Sequence, residues 1–537
     1  MAMNLNMAGG AQGMMKEGST LADGVDEAVL KNIGATKQLA RIVQSSLGPN
    51  GMKKLIVTHL GKTLVSSDCG TIARELEVVH PAAQMVSMAA AAQDVEVGDG
   101  TNLVVSFSGE LLKLAEELLR TGLHTSEIVQ GYELAYDECV RVFPELEVDR
   151  VKNVRDPVEM ARAIEPVVAA KHEGVEGILS KIIAEACCAV LPPGPEPPVL
   201  KADQVRIAKL RGGDVASSTM MKGMIVMRPS ETTVQQLGRS KVAVFNCGVE
   251  MATTETKGTV LIRTAEELIN YNKSEEQALE VIVKDIAASG VKLVISGGSV
   301  SEMAVHFLEK YQLMCLKITS KWELRRLCGA TGATACVRLG APTPEEMGSV
   351  SSATTKELGG RTVTVLEQLG DAQSKIATVV LRAATASLID DLERAVDDGV
   401  HACRMLCKDP RLVAGAGGCE MELSHRLRKT AEASTGMDQY ALTKFADAFE
   451  VVPRALAETS GLDQTKVIAA LRDAHFSGNA EAGVDLTQVL TGGGSGGPVR
   501  DGYAVKESAL RLAVDAAVTV LRVDQIIMSK PAGGGKG

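Results

Sequence analysis

The sequence predicts a multi-domain protein of α and α/β class, with helical segments at both ends and an α/β unit between them. Three observations carry this. The chain has 537 residues, enough for several cores; aromatics are only 3% with one Trp, and Ala, Val, Leu, Ile and 21 Met fill the gap, a helix-rich composition. From about 219 to 371, short apolar runs alternate with capped helical patterns, an order that implies a parallel sheet with covering helices. The proline-rich run LPPGPEPP at 191–198 suits neither a helix nor a central strand, so it marks a surface loop between units.

Taken in order, residues 1–20 are small, Met- and Gly-rich, and expected to be loose. From Asp26 to Leu47, Val29, Leu30, Ile33, Leu39, Ile42 and Val43 recur at helical spacing and stop at Gly48-Pro49. β-rich pieces follow at 54–57 and 63–65, then a helix from Thr71 and another from Pro81. Leu103, Val104, Phe107, Leu111, Leu114 and Leu118 form one face of the next helix. In the central unit, Thr264–Glu267 and Ser274–Gln277 are two capping boxes ten residues apart, which predict a helix over 265–288 broken near Asn270–Lys273. Val291–Ile295 and 313–318 read as buried strands. Ser299 opens a helix to Tyr311 and Ser320 caps another. The last third is helical again. Between Ser387 and Cys407 the stripe is Leu388, Leu392, Ala395, Val396, Gly399, Val400, Cys403 and Leu406. Asp397 and Asp398 lie roughly 130° from its centre, so spacing alone puts both on a solvated face. Leu412–Gly418 is a glycine turn before a helix.

Charge and cysteine usage exclude several functions. A net charge of −10 without a long basic run argues against a nucleic-acid surface. The absence of an 18-residue apolar stretch and of a basic-then-apolar start leads us to expect a cytoplasmic protein, without a membrane partner. The 11 Cys contain no CxxC pair and lie in apolar patterns, as buried thiols of a reducing compartment do. Cys403 and Cys407, near His401, could face one metal, but they lack zinc's third and fourth ligands and suit a core better. The sequon at Asn272 is expected to be idle. The glycine loop at 492–498 contains a formal GxGxxG, yet no strand precedes it and Pro498 closes it, so a dinucleotide fold is rejected. Walker A is absent.

The stretch with most chemistry is Asp94–Asn102. Glycines flank Asp99, and Thr101 and Asn102 start a helix, where free amides favour an anion. Asp99 can give magnesium a hard oxygen, since that ion binds proteins through one or two carboxylates plus phosphates, although GDGT taken alone is a weak signal that an N-capped helix after a glycine turn explains more often. LGPNG at 47–51 is a second turn able to aim amides at a ligand, although a plain helix C-cap explains it equally.

With LGPNGMKKL at 47–55, RELEVVHPAA at 74–83, EVGDGTN at 96–102, SKWELRRLCGATGA at 320–333, ERAVDDGVHA at 393–402, LVAGAGGCEMEL at 412–423 and AAVTVLRVDQIIM at 516–528, the chain resembles the group II chaperonins over nearly its full length. The resemblance implies the chaperonin fold: a helical equatorial ATPase domain (1–150 and 407–537), a small intermediate domain (151–218 and 372–406) and an α/β apical domain (219–371) with a helical protrusion. It also implies roles. Leu47, Gly48 and Pro49 would wrap ATP or ADP, Asp99 would bind Mg²⁺, and Gly100, Thr101 and Asn102, with Leu103 beside them, would cradle the phosphates. Gly415 would approach the nucleoside and Asp501 the ribose. Lys171 would sense the γ-phosphate, and Asp398 would orient the attacking water. The helix at 265–288 would be a lid, and the helix at 299–311 would line a groove for unfolded clients, though Met303, Phe307 and Leu308 suit a core as well.

The implied activity is ATP-driven protein folding. The implied partners are paralogous subunits in a hetero-oligomeric double ring and unfolded clients such as cytoskeletal proteins. Two departures stand out. Thr58 occupies a position where the family commonly has a second Asp, and Ala416 interrupts the usual triple glycine. Both favour an alternative, a mainly structural ring subunit that binds nucleotide but hydrolyses it slowly.

Overall fold

The computed structural model describes residues 20–23, 28–58, 61, 63–194, 198–250, 264–368, 376–485 and 499–528. The chain begins with β1 (Thr20–Asp23), α1 (Leu30–Gln44), β2 (Lys54–Val57), β3 (Thr63–Ser66), α2 (Cys69–Glu75), α3 (Pro81–Glu96), α4 (Thr101–Arg120), α5 (Thr125–Val142), β4 (Glu147–Arg150), α6 (Pro157–Ala169) and α7 (Glu176–Val190). Its middle holds β5 (Val205–Arg211), β6 (Thr219–Val226), β7 (Gln236–Leu237), β8 (Ser240–Phe245), α8 (Ala265–Ala288), β9 (Val291–Ser296), α9 (Glu302–Lys310), β10 (Met314–Lys317), α10 (Lys321–Thr331), β11 (Ala335–Cys336), β12 (Gly348–Val350), β13 (Ser352–Leu358), β14 (Arg361–Glu367) and β15 (Ala377–Ala383). It ends with α11 (Ala386–Lys408), β16 (Arg411–Ala414), α12 (Gly418–Ala433), α13 (Asp438–Ala448), α14 (Val451–Thr459), α15 (Gln464–Phe476), β17 (Arg500–Gly502), α16 (Tyr503–Leu521) and β18 (Gln525–Met528).

These elements form two compact units. The first comprises residues 1–154, 159–177 and 394–537; the second comprises 155–158 and 178–393. The first is built on helices, as its composition predicts. The apolar face of α4 is buried from Val104 through Leu118 against α1, α13 and α16. The scarce aromatics gather there: Phe107 lies 4.7 Å from Phe449 and 5.7 Å from Phe445, which in turn meets Tyr132 at 5.5 Å. Each such ring pair adds about 0.5–1.5 kcal/mol beyond its buried area. Three small sheets complete this unit: β17-β16-β4, β2-β3 and β1-β18.

The second unit carries the expected parallel sheet, in the order β10-β9-β8-β11, with β12 antiparallel on β8. Apolar side chains cover both of its faces, which is why these strands read as continuous apolar runs. A second sheet, β5-β15-β6-β14-β13-β7, is mainly antiparallel and was not anticipated.

Several expectations need correction. α8 is one continuous 24-residue helix rather than a pair broken at 270–273. No Gly or Pro stands there, and Ser274 can sit inside a helix, so the second capping box has no helix end to cap. α9 is capped by Ser301, whose side chain accepts from Ala304 N–H, two residues later than Ser299. α2 starts at Cys69, before Thr71, because the Asp68 carboxylate caps its first turn. Leu412–Ala414, read as turn, is the central strand of the β17-β16-β4 sheet. Phe307 and Leu308 are buried and Met303 is exposed. All 11 Cys are free thiols, with Cys403 and Cys407 buried, and among the described residues no helix is long and apolar enough to cross a membrane. The expectations for 1–19 and for the glycine loop at 492–498 lie outside the described residues.

Candidate functional site

The first unit contains two neighbouring cavities that share Leu47, Gly48, Ala170, Val452, Asp501 and Lys506 in their walls. The larger holds about 590 Å³ and is bounded by the Leu47–Pro49 turn, β17, Ala416, Gly417 and α6. The smaller holds about 160 Å³ and is lined by Asp99, Gly100, Thr101, Asn102, Leu103 and Lys171.

Two helices open onto these cavities without a side-chain cap. α4 begins after Gly100 at φ 80°, and α12 after Gly417 at φ 83°, left-handed conformations that glycine adopts without strain. An α-helix leaves its first amides without intrahelical partners, so the start of α4 offers N–H groups to an anion in the smaller cavity. Ala416 holds φ 53° without being glycine, at a cost of about 1 kcal/mol.

The loop bearing Asp99 is fixed from three sides. Gln93, fully buried, donates to the Asp99 carbonyl at 2.8 Å and accepts from Ser508 on α16. Arg404 on α11 donates to the Glu96 carbonyl at 2.6 Å, satisfying the C-terminal end of α3. The His401 ring lies against Gly98, where any Cβ would come within 2.2 Å of Nδ1. Gly100 N–H donates to Asp99 Oδ1 at 2.7 Å. Burial raises the Asp99 carboxyl above the usual range, opposed by Lys171.

Beside this loop one ammonium serves two carboxylates. Lys171 Nζ lies 2.6 Å from Asp68 Oδ1 and 2.8 Å from Asp398 Oδ2, and all three side chains are at least 85% buried. Burial works against the charge of Lys171, but Asp398, Asp68 and Asp99 outweigh it and hold the amine protonated. The two acids divide. Asp68 also resists burial, through Lys171 and the Thr71 hydroxyl and amide, and is held well below the ordinary range. Asp398 is pushed up to about 8, first by burial and then by Asp68 and Asp99 against the pull of Lys171.

Of the residues singled out in the sequence, Leu47, Gly48, Pro49, Asp99, Gly100, Thr101, Asn102, Leu103, Lys171 and Asp501 line the cavities. Asp398 joins through Lys171 without being a wall residue, and it is 8% exposed rather than on a solvated face; Asp397 is the exposed one. Gly415 packs against Val499 and forms no part of either wall. Thr58 follows β2 at the hairpin and is not among the wall residues, and the carboxylate that shares Lys171 with Asp398 is that of Asp68. Sequence reasoning missed Asp68, Gln93 and Lys506. Ser66-Ser67-Asp68 ahead of a helix start was the available signal for the first. Among the described residues no group of three or more His, Cys, Asp or Glu could hold a metal. The Asp99 carboxylate beside the amides of α4 is a donor set that would fit magnesium shared with phosphates.

Known proteins match this sequence over nearly its whole length. The model of the TCP-1/cpn60 chaperonin family matches residues 39–531. T-complex protein 1 subunit theta of Arabidopsis thaliana is 47% identical over 98% of this chain and 95% of its own length. The subunits of that name from Gallus gallus and Homo sapiens are 45% and 44% identical over 100% of this chain and 97% of theirs. The chain belongs to the TCP-1/cpn60 chaperonin family.

Proposed function

We propose that this chaperonin subunit binds ATP in the paired cavities of its first unit and hydrolyses it to drive protein folding. The observation that carries the reading is the Lys171 bridge between Asp68 and Asp398 in a site whose other wall is the uncapped start of α4. The phosphates take the amides of Thr101, Asn102 and Leu103, and the nucleoside occupies the larger cavity between the Leu47–Pro49 turn, Ala416 and Asp501. Asp99, together with the substrate's phosphates, would hold magnesium, which when bound would supply charge stabilisation for phosphoryl transfer. A γ-phosphate competes with the two acids for the Lys171 ammonium. Asp68 stays ionised and orients water, and Asp398, pushed up to about 8, accepts a proton from it in the fraction of molecules where its carboxyl is ionised.

The domain scheme follows the family: an equatorial ATPase domain, an intermediate domain carrying Asp398, and an apical domain whose α9 lines a client groove and whose α8 belongs to a lid. The partners are paralogous subunits in a cytoplasmic double ring and unfolded clients, cytoskeletal proteins among them. The slow-subunit alternative loses the support of Thr58, because Asp68 provides the second acid. It retains only the strained Ala416.

Single-turnover hydrolysis and equilibrium binding test the assignment. Asp398→Asn and Asp68→Asn should keep ATP bound and slow hydrolysis by about 10²-fold or more. Asp99→Ala should lose magnesium-dependent binding. Weak binding with normal turnover of bound ATP in the first two variants would remove these roles.

A further inference from the structure

Asp501 and Glu420 share one cation at the nucleoside end of the site. Lys506, in the first turn of α16, places Nζ 3.0 Å from Asp501 Oδ2 and donates to Glu420 Oε1. The lysine side chain is 14% exposed and that of Glu420 3%, so neither charge is relieved by solvent. Asp501, at 27%, lines both cavities, as does Lys506 itself. Two carboxylates facing one ammonium, Glu420 buried and Asp501 partly so, leave little freedom. Rotation of Asp501 away from Lys506 strands a cation beside a single acid, and loss of the cation leaves two like charges in a poorly solvated pocket. The ion pair uses Asp501 Oδ2, which leaves Oδ1 as the oxygen not used by the lysine.

We infer that Lys506 is a positioning residue for sugar recognition: by pinning one oxygen of Asp501 it presents the other, as an ionised acceptor, to a hydroxyl of the nucleotide's 2′,3′-diol. This rests on the reading of the cavities as a nucleotide site. Asp501 sits on the three-residue strand β17, held to β16 opposite Val413, so its backbone is fixed and the remaining freedom is that of its side chain. An ionised acceptor held in place discriminates between a sugar that offers a hydroxyl and one that does not, because a hydrogen bond to a charged group is stronger than a neutral one. Glu420 makes no use of the sugar; it completes the charge balance that keeps Lys506 in place.

The test compares affinities of the full-length chain for ATP and for 2′,3′-dideoxyadenosine triphosphate, by calorimetry with magnesium present. The wild type should prefer ATP by about tenfold or more. Lys506→Gln should bring that ratio close to one; both ligands carry the same triphosphate, so any loss of affinity common to the two cancels in the ratio, and general damage to the pocket does not give this pattern. Lys506→Arg should restore most of the preference. Asp501→Asn should lose it as Lys506→Gln does. If Lys506→Gln fails to fold, Glu420→Gln/Lys506→Gln keeps the charge balance and takes its place. A full preference in Lys506→Gln beside a lost one in Asp501→Asn overturns the role of Lys506 and leaves the nucleotide reading standing. A wild type that binds neither compound overturns both.

Discussion

Gly98→Ala tests how tightly the Asp99 loop and the Asp398 helix are joined. A Cβ at this position would lie 2.2 Å from His401 Nδ1, 2.3 Å from its Cβ and 2.5 Å from its Cγ. Contact with the His401 Cβ matters most, because a change of rotamer cannot move that atom away. The backbone is also left-handed, at φ 87°. The conformational part costs about 1 kcal/mol, and forcing a methyl into a filled contact costs about 1–3 kcal/mol. Together the substitution should destabilise the loop and α11 by roughly 2–4 kcal/mol. Because the loop carries Asp99 and α11 carries Asp398, hydrolysis should fall alongside. Hydrogen exchange of 94–102 and 396–404 reads the local destabilisation, and a double-mutant cycle with His401→Gly, which removes the Cβ along with the ring, isolates the steric part. The cycle should return a coupling of about 1–3 kcal/mol, since only the conformational cost survives once the side chain is gone. A coupling within about 0.5 kcal/mol of zero would refute the claim that the His401 side chain fills this space.

Two further outcomes follow from the carboxylates. Glu422 is held down to about 2, first by its hydrogen bond with His475 and then, against burial, by Arg426. Its folded value lies below its ordinary one, so its stabilisation is present above about pH 4.5 and is lost as pH falls toward 2. The loss is at most roughly 3 kcal/mol, and Glu422→Gln should flatten the acid limb of a denaturant-midpoint profile; parallel profiles for the two proteins would contradict it. Thr58→Asp should leave single-turnover hydrolysis within about twofold of wild type, because the second acid is Asp68; a marked acceleration would return that role to position 58.

What was legible in the sequence was local, and what was not was tertiary. The Asp99 loop could be read because its glycines and its helix start are neighbours in the chain, and the turn at 47–49 for the same reason. α8 was misread because two capping boxes look alike whether or not the backbone ends there; only the absence of Gly and Pro argued for continuity. Asp398 could not be placed from a helical wheel, which measures distance from the apolar stripe and says nothing of a buried polar partner. That partner, Lys171, also holds Asp68 across 103 residues of chain. The family resemblance supplied Asp398 and Lys171 but put the second acid at Thr58, where the hairpin carries it away from the cavity walls.

The charges around Lys171 explain why three aspartates differ in role although they share one neighbourhood. Asp68, Asp99 and Asp398 face a single ammonium, so the cluster lacks positive charge before any phosphate arrives. Asp68 takes the closest contact with the lysine, adds hydrogen bonds from Thr71, and stays ionised. Asp398 has the lysine but no comparable set of donors, so burial first, and the neighbouring acids after it, raise its proton affinity. Asp99 is tied to its own loop by Gly100 and makes no direct ion pair with the lysine among the described residues, and the proposed magnesium site is placed on it. On the proposed reading a polyphosphate would deepen the deficit, so binding it would require either a divalent cation at Asp99 or further protonation of the acids. The amides at the start of α4 soften that requirement without removing it, because they offer partial charges and the deficit is in whole ones.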